Sequence, residues 1–175
     1  NFLSFNSSEI LKQTVKIFIL YSAITLSIFF ILNIFDIRSF NSLNLSMTII
    51  SSGGFLPTND LSLILTNQSQ IVIFSLLMLV SFFSIFFIYN LILIRDKNLN
   101  FFYEDIHLFL YFLFIVTIFF TFFSFDNNFT YIFLSLVSSI SNIGISLEFD
   151  QSRLSFIYLI LVIIGGSFFS TSSGI

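Results

Sequence analysis

Uncharged stretches long enough to cross a bilayer alternate along this chain with shorter, serine-rich stretches that are not. Ile17 to Phe35 runs 19 residues without a charge, Ile71 to Ile94 runs 24, and Ile106 to Phe125 runs 20 with one histidine. A helix rises about 1.5 Å per residue, so each matches the roughly 20 residues that a membrane-crossing helix needs. A fourth stretch, from Leu154, is apolar to Phe169 and then turns small and polar in "STSSGI". The pattern predicts spans over residues 14–35, 68–95 and 104–125, and an interrupted span over 151–175.

Ser39 to Ile50 and Asn127 to Ile140 are of another kind. Two arrangements fit them: a re-entrant half-helix of about three turns, with Ser39 or Asp126 as N-cap, or an external loop carrying a surface helix. The shortage of charge in "SFNSLNLSMTII" and "TYIFLSLVSSIS" favours half-helices over 39–50 and 127–140. Each is followed at once by a glycine-containing stretch. The order is therefore span, half-helix, glycine turn, span, and then the same again. Three landmarks keep nearly one offset: Asp36 and Asp126 are 90 residues apart, Gly53 and Gly144 are 91, and Asp60 and Asp150 are 90. A duplicated unit of about 90 residues follows, with one copy in 1–97 and the other in 98–175.

Composition agrees with an all-α integral membrane protein. Hydrophobic residues make up 57% of the chain and charged residues 9%, against about 25% charged in soluble domains. Mean hydropathy is +1.04. The absence of cysteine excludes a disulfide framework and a thiolate metal site, and a net charge of −3 is too small to point to nucleic acid. No expected span holds an interior Asp, Glu, Lys or Arg, which argues against a proton relay. His107, the sole histidine, reads as an interfacial residue, and Asn33 and Asn90 as hydrogen-bonding groups near helix ends. The chain opens on Asn1 without a signal-peptide pattern and stops at Ile175 without a polar tail, so it reads as an internal piece of a longer polypeptide.

Orientation follows from the basic residues. With the first span running outward, Lys12, Lys16, Arg95 and Lys97 lie inside, against Arg38 and Arg153 outside. This places the N-terminus and the 95–105 link in the cytoplasm. Asp36, Asp60, Asp126, Glu148 and Asp150 then face outward and make a mouth that attracts cations.

The stretch "IISSGGFLPTND", residues 49 to 60, holds two adjacent glycines and the only proline. Non-helical backbone at membrane depth leaves amides and carbonyls unpaired at several kcal/mol each, unless it is buried in protein or lines a watery cavity. A partly dehydrated cation is a natural guest for such carbonyls. Gly53 and Gly144 would supply the φ > 0 conformations that turn carbonyls toward one axis, and the negative end of each half-helix would add to cation binding. Spacing alone leaves a second reading open, in which the glycines are packing turns of some other polytopic protein.

"TIISSGGFLPTND" (48 to 60) resembles the second pore loop of the Trk and Ktr potassium-uptake family. "VSSISNIGI" (137 to 145) resembles that family's third pore loop, and "IIGGSFFSTSSGI" (163 to 175) the glycine-rich segment that interrupts the following helix. The three occur in the family's order and span nearly the whole chain. The resemblance implies a four-repeat, pseudo-fourfold pore of helix, half-helix, filter and helix units, of which this chain holds the second and third. It implies filters over 50–54 and 141–145, with ion-binding carbonyls at Ile50, Ser51, Ser52 and Gly53 and at Ser141, Asn142, Ile143 and Gly144. It implies an intramembrane gate loop with Gly165, Gly166, Ser167, Ser170, Thr171, Ser172, Ser173 and Gly174, and outer cation-attracting acids at Asp60, Glu148 and Asp150. The implied activity is K+ transport, with Na+ as a second candidate ion, and no covalent chemistry or bound cofactor. The implied setting is a multi-pass inner (plasma) membrane protein whose partners are lipid, the remaining repeats, a cytoplasmic nucleotide-binding regulatory subunit and a second copy of itself. A reading from another class is a non-transporting anchor or assembly subunit of a larger membrane complex.

Overall fold

The computed structural model describes residues 7–83, 100–123, 129–147, 155–166 and 170–172. These form an all-α fold of six helices and one short 3-10 turn, with no strand among the described residues. In chain order the helices are α1 (Ser7–Ile34), α2 (Ser39–Ser51), α3 (Gln68–Phe82), α4 (Asn100–Phe123), α5 (Phe129–Ile140) and α6 (Ser155–Ile164), and the 3-10 turn, Leu61–Leu63, lies between α2 and α3.

Among the described residues one helical stretch, Thr14–Ile34 in α1, is long and apolar enough to cross a membrane. It buries a single stripe, Ile24, Ile28 and Leu32, while Phe18, Leu26, Phe30 and Ile34 are exposed. A surface helix in water would carry polar residues on that second face. The hydroxyls it does carry bond to its own backbone: Ser22 donates to Phe18 O at 2.9 Å, Thr25 to Tyr21 O at 2.8 Å and Ser27 to Ala23 O at 2.9 Å. Lys12 and Lys16 are exposed near its start.

α1 ends in a Schellman turn. Asp36 adopts φ 60°, its N–H donates to Asn33 O at 3.1 Å, and Ile37 N–H donates to Leu32 O at 3.3 Å. The buried pair Leu32 and Ile37 supplies the apolar contact that accompanies this motif. The chain reverses there into α2, which packs along α1 and then against α3. The expected N-cap role of Ser39 is not realised: Arg38 holds the N-cap position without a side-chain bond. The Ser39 hydroxyl instead donates to Asn33 Oδ1 at 2.9 Å, so Asn33 joins two helices as expected of a helix-end polar group.

α3 begins beside the end of α1. Gln70, 4% exposed, accepts at Oε1 from the N–H groups of Thr66 and Asn67 at 2.9 and 3.2 Å and donates from Nε2 to Phe35 O at 2.9 Å. The C-terminal end of α1 and the N-terminal ends of α2 and α3 therefore share one level. α2 has 13 residues, so its far end lies about 20 Å from that level. A small cavity there is lined by Tyr21 and Ile24 from mid-α1, Ile50 from the end of α2, Ser81 from the end of α3, and Thr171. The return over residues 53–60 can cover the distance, since an extended chain reaches about 3.3 Å per residue.

α5 packs against α3 and α6. Phe82, Phe83, Phe109 and Phe112 form an aromatic cluster joining the end of α3 to α4, with centroid separations of 5.4 to 6.4 Å. The core is made of Leu32, Leu45, Ile49, Phe74, Met78, Leu134 and Val137. The first half-helix extends one residue past its expected end, to Ser51, and the second is described from Phe129. The expected span over 68–95 is described only to Phe83, and the expected interrupted span helically over 155–164. Asn90, Arg95, Lys97, Asp126, Glu148, Asp150 and Arg153 lie outside the described residues.

Candidate functional site

The two short helices α2 and α5 end in the same way. In α2 the left-handed residue is Ser52, φ 49°, and in α5 it is Asn142, φ 53°. Ser52 N–H donates to Ile49 O at 3.3 Å and Gly53 N–H to Thr48 O at 3.2 Å, while Asn142 N–H donates to Ser139 O at 3.3 Å and Ile143 N–H to Ser138 O at 3.1 Å. Both are Schellman turns, which consume carbonyls that a helix end would otherwise leave bare. Two residues on, glycine takes up positive φ again, 68° at Gly54 and 75° at Gly144.

Each turn is braced by the hydroxyl at the same relative place. The Thr48 hydroxyl donates to Phe55 O at 2.5 Å, and the Ser138 hydroxyl accepts from Ile145 N–H at 2.8 Å. Ser52 and Asn142, Gly54 and Gly144, Thr48 and Ser138, and Phe55 and Ile145 are all 90 residues apart. This corrects the register read from the sequence: the partner of Gly144 is Gly54, not Gly53, and Gly53 is not among the residues with positive φ. The stretch equivalent to Ser141–Gly144 is therefore Ser51–Gly54, not Ile50–Gly53.

The two turns touch. A Cβ placed on Gly54 would stand 2.5 Å from the Ile143 carbonyl oxygen, so only glycine lets the backbones come this close. Gly144 by contrast faces open space. Ser51, Gly53 and Gly144 are exposed, Ile50 and Ser52 half-buried, and Ser141 and Ile143 buried. The Ser141 hydroxyl bonds within its own helix, to Val137 O at 2.8 Å, and Ser51 does likewise to Met47 O at 2.8 Å.

The third expected element comes to the same place. α6 stops at Gly165, φ 63°, whose N–H donates back to Leu161 O at 3.0 Å. Beyond it, Thr171 meets the Ser52 hydroxyl at 3.4 Å, and the Ser172 carbonyl accepts from Asn142 Nδ2 at 2.7 Å. Of the expected gate residues, Gly165, Gly166, Ser170, Thr171 and Ser172 are described, and Ser167, Ser173 and Gly174 lie outside the described residues. Of the outer acids, Asp60 is half-buried at the start of the 3-10 turn. His107 is exposed on α4.

Thr48, Ser138 and Ser81 belong to this site and were missed from the sequence, and Gly54, inside the expected filter 50–54, was not picked out as one of its key positions. The constant offset of 90 residues would have selected Gly54, since it is the offset of the aspartates. Among the described residues no group of three His, Cys, Asp or Glu gathers, so the oxygens concentrated here are carbonyls and hydroxyls. No family model, curated protein or solved structure matches the chain.

Proposed function

We propose that this chain is part of a membrane transporter of the Trk and Ktr type that passes K+, with Na+ as competitor, through backbone-lined loops. On this reading it is a multi-pass protein of the inner membrane. Its two units of helix, half-helix, filter loop and helix, the last helix interrupted, complete a pore with further units of the same polypeptide. The single observation that carries the reading is the meeting of two half-helix ends, each turned by the same Schellman geometry and each followed by a left-handed glycine, at Gly54 and Ile143. Helix C-termini are the negative ends of the backbone dipole, and two of them directed at one point favour a cation there. The filter stretches on this reading are Ser51–Gly54 and Ser141–Gly144.

The polarity of α2 supports the same reading. Ser42, Ser46 and Thr48 are buried while Phe40 and Met47 are 63% and 56% exposed, which is the reverse of a half-helix facing water. Hydroxyls that bond to their own helix, as on α1, are satisfied without solvent. A cytoplasmic nucleotide-binding subunit and a second copy of the transporter are the partners this proposal brings with it.

Rubidium tracer uptake into proteoliposomes containing the full-length protein tests it. The expected result is uptake driven by a K+ gradient, reduced by excess K+ and less by Na+. Absence of uptake, together with co-purification in a fixed ratio with other membrane subunits, would favour the anchor or assembly reading instead.

A further inference from the structure

A cleft of about 170 Å³ lies between α4 and α6, lined by Tyr111, Ile115 and Ile118 on one side and by Ile157, Ile160 and Leu161 on the other. The offset of 90 residues that relates the two turns gives these residues counterparts in the first half of the chain: Tyr21, Thr25 and Ile28 on α1, and Asn67, Gln70 and Ile71 at the start of α3. There the seam is closed. Ile28, Gln70 and Ile71 are buried, and Gln70 ties α3 to the end of α1 by donating to Phe35 O at 2.9 Å. In the second half Ile115, Ile157 and Ile160 stand at the places of Thr25, Asn67 and Gln70, and isoleucine can make no such tie. Among the described residues α4 packs less closely on α6 than α1 does on α3, and Ile118 and Ile160 are left 39% and 41% exposed.

Polarity and girth select what fills this cleft. Its lining holds one hydroxyl, that of Tyr111, and no charge, so a polar guest would lose its hydration without replacement. An apolar cavity of about 150 Å³ stays dry and takes up hydrocarbon. From Tyr111 to Ile118 α4 rises about 10 Å. A helix of that length, roughly 10–12 Å across with its side chains, would occupy roughly 800 Å³ or more. That is several times the cleft, whereas a single hydrocarbon chain matches it. We propose that the cleft between α4 and α6 seats one acyl chain of a membrane phospholipid, with the polar end of the lipid beyond Tyr111. Tyrosine suits the boundary between hydrocarbon and head groups, and exposed His107 lies one turn before it on the same helix face. The chain then belongs to the leaflet on the side read as cytoplasmic and joins α4 to α6 where Gln70 joins α3 to α1. This inference rests on the membrane reading and not on the passage of ions.

Native mass spectrometry of the full-length protein, incubated in detergent with palmitoyl-oleoyl phosphatidylglycerol and then washed, tests it. The parent should retain the lipid. Ile160→Trp fills the cleft from a part-exposed position and should lower retention about tenfold, the effect of losing roughly two buried methylenes. The pair Ile115→Thr with Ile160→Gln carries the residues of the first half and should lower retention without overfilling the cleft. Leu159→Trp, 56% exposed on the opposite face of α6, should leave it unchanged. Equal retention in all four proteins would overturn the site, as would an equal loss in Leu159→Trp, no lipid on the parent, or a second copy of the protein bound in place of lipid. A parent that stays in solution without detergent and does not enter vesicles of the same lipid would overturn the membrane reading itself.

Discussion

In Gly54→Ala the new methyl group would lie 2.5 Å from the Ile143 carbonyl oxygen. An ordinary carbon to oxygen contact is about 3.3 Å or more, so one of the two turns must yield by nearly 1 Å. The obstacle is backbone, anchored by the Schellman bond from Ile143 N–H to Ser138 O, and cannot swing aside as a side chain would. Overpacking of this kind costs about 1–3 kcal/mol, and a non-glycine residue in left-handed backbone adds about 1–2 kcal/mol. The sum, roughly 2–5 kcal/mol, is a large part of a typical stability of about 5–15 kcal/mol.

Two neighbouring glycines serve as controls. Gly144→Ala meets nothing within 4 Å and bears only the left-handed cost of about 1–2 kcal/mol. Gly53→Ala meets Ser51 Oγ at 2.9 Å and the Phe55 ring at 3.1 Å, both on exposed side chains that can turn away, so its cost is below about 1 kcal/mol. Asparagine tolerates left-handed backbone but still has a Cβ. Gly54→Asn should therefore remain severe and Gly144→Asn nearly neutral. Thermal unfolding in detergent, paired with rubidium uptake, orders the variants. The reasoning fails if Gly54→Ala melts no lower than Gly53→Ala, or if asparagine rescues position 54.

Gln70→Leu should destabilise the fold by about 2–4 kcal/mol in the same melting assay, because it strands the Phe35 carbonyl and two amides that Gln70 now satisfies. Thr48→Val and Ser138→Ala each remove one brace of a turn and should each cost about 1 kcal/mol; an effect at only one of the two would show that the turns are not mechanically equivalent. With a cysteine at Ser51, exposed, or at Ser141, 0% exposed, a small hydrophilic thiol reagent should label the first rapidly and the second only after unfolding. Equal labelling would contradict the packing of the second turn.

The two short helices were legible as helices because each is a run of about three turns, apolar and serine-rich, closed by a glycine-containing stretch. Their register was read one residue off: Gly53 and Gly54 are adjacent and equally permissive, and the bond from Gly53 N–H to Thr48 O, which makes Ser52 the left-handed residue, assigns the next positive φ to Gly54, as strict use of the 90-residue offset of the aspartates would have done. Ser39 looked like an N-cap by residue type, but its hydroxyl is engaged by Asn33 on the preceding helix, a tertiary partner that overrides local preference. The meeting of Ser52 with Thr171 joins residues 119 apart. No periodicity encodes such a pair; it was foreshadowed only by the small, polar composition of the segment after α6.

The division of labour on α2 explains why a helix so poor in charge still contains three buried hydroxyl residues. Ser42 donates to Ile37 O and Arg38 O at 3.0 and 3.2 Å, and Ser46 to Leu43 O at 2.8 Å, so each is satisfied locally and its burial costs little. Small side chains there also let α2 lie close to its neighbours, while Phe40, Leu43 and Met47 occupy the exposed face. Thr48 is the exception, because its hydroxyl reaches out of the helix to Phe55 O and holds the returning strand of backbone. A leucine at any of these positions would bury more apolar surface, at about 25 cal/mol per Å², yet only a hydroxyl at 48 can fasten the turn that brings Gly54 to Ile143. The helix thus gives up apolar burial on its inner face to secure the position of the loop.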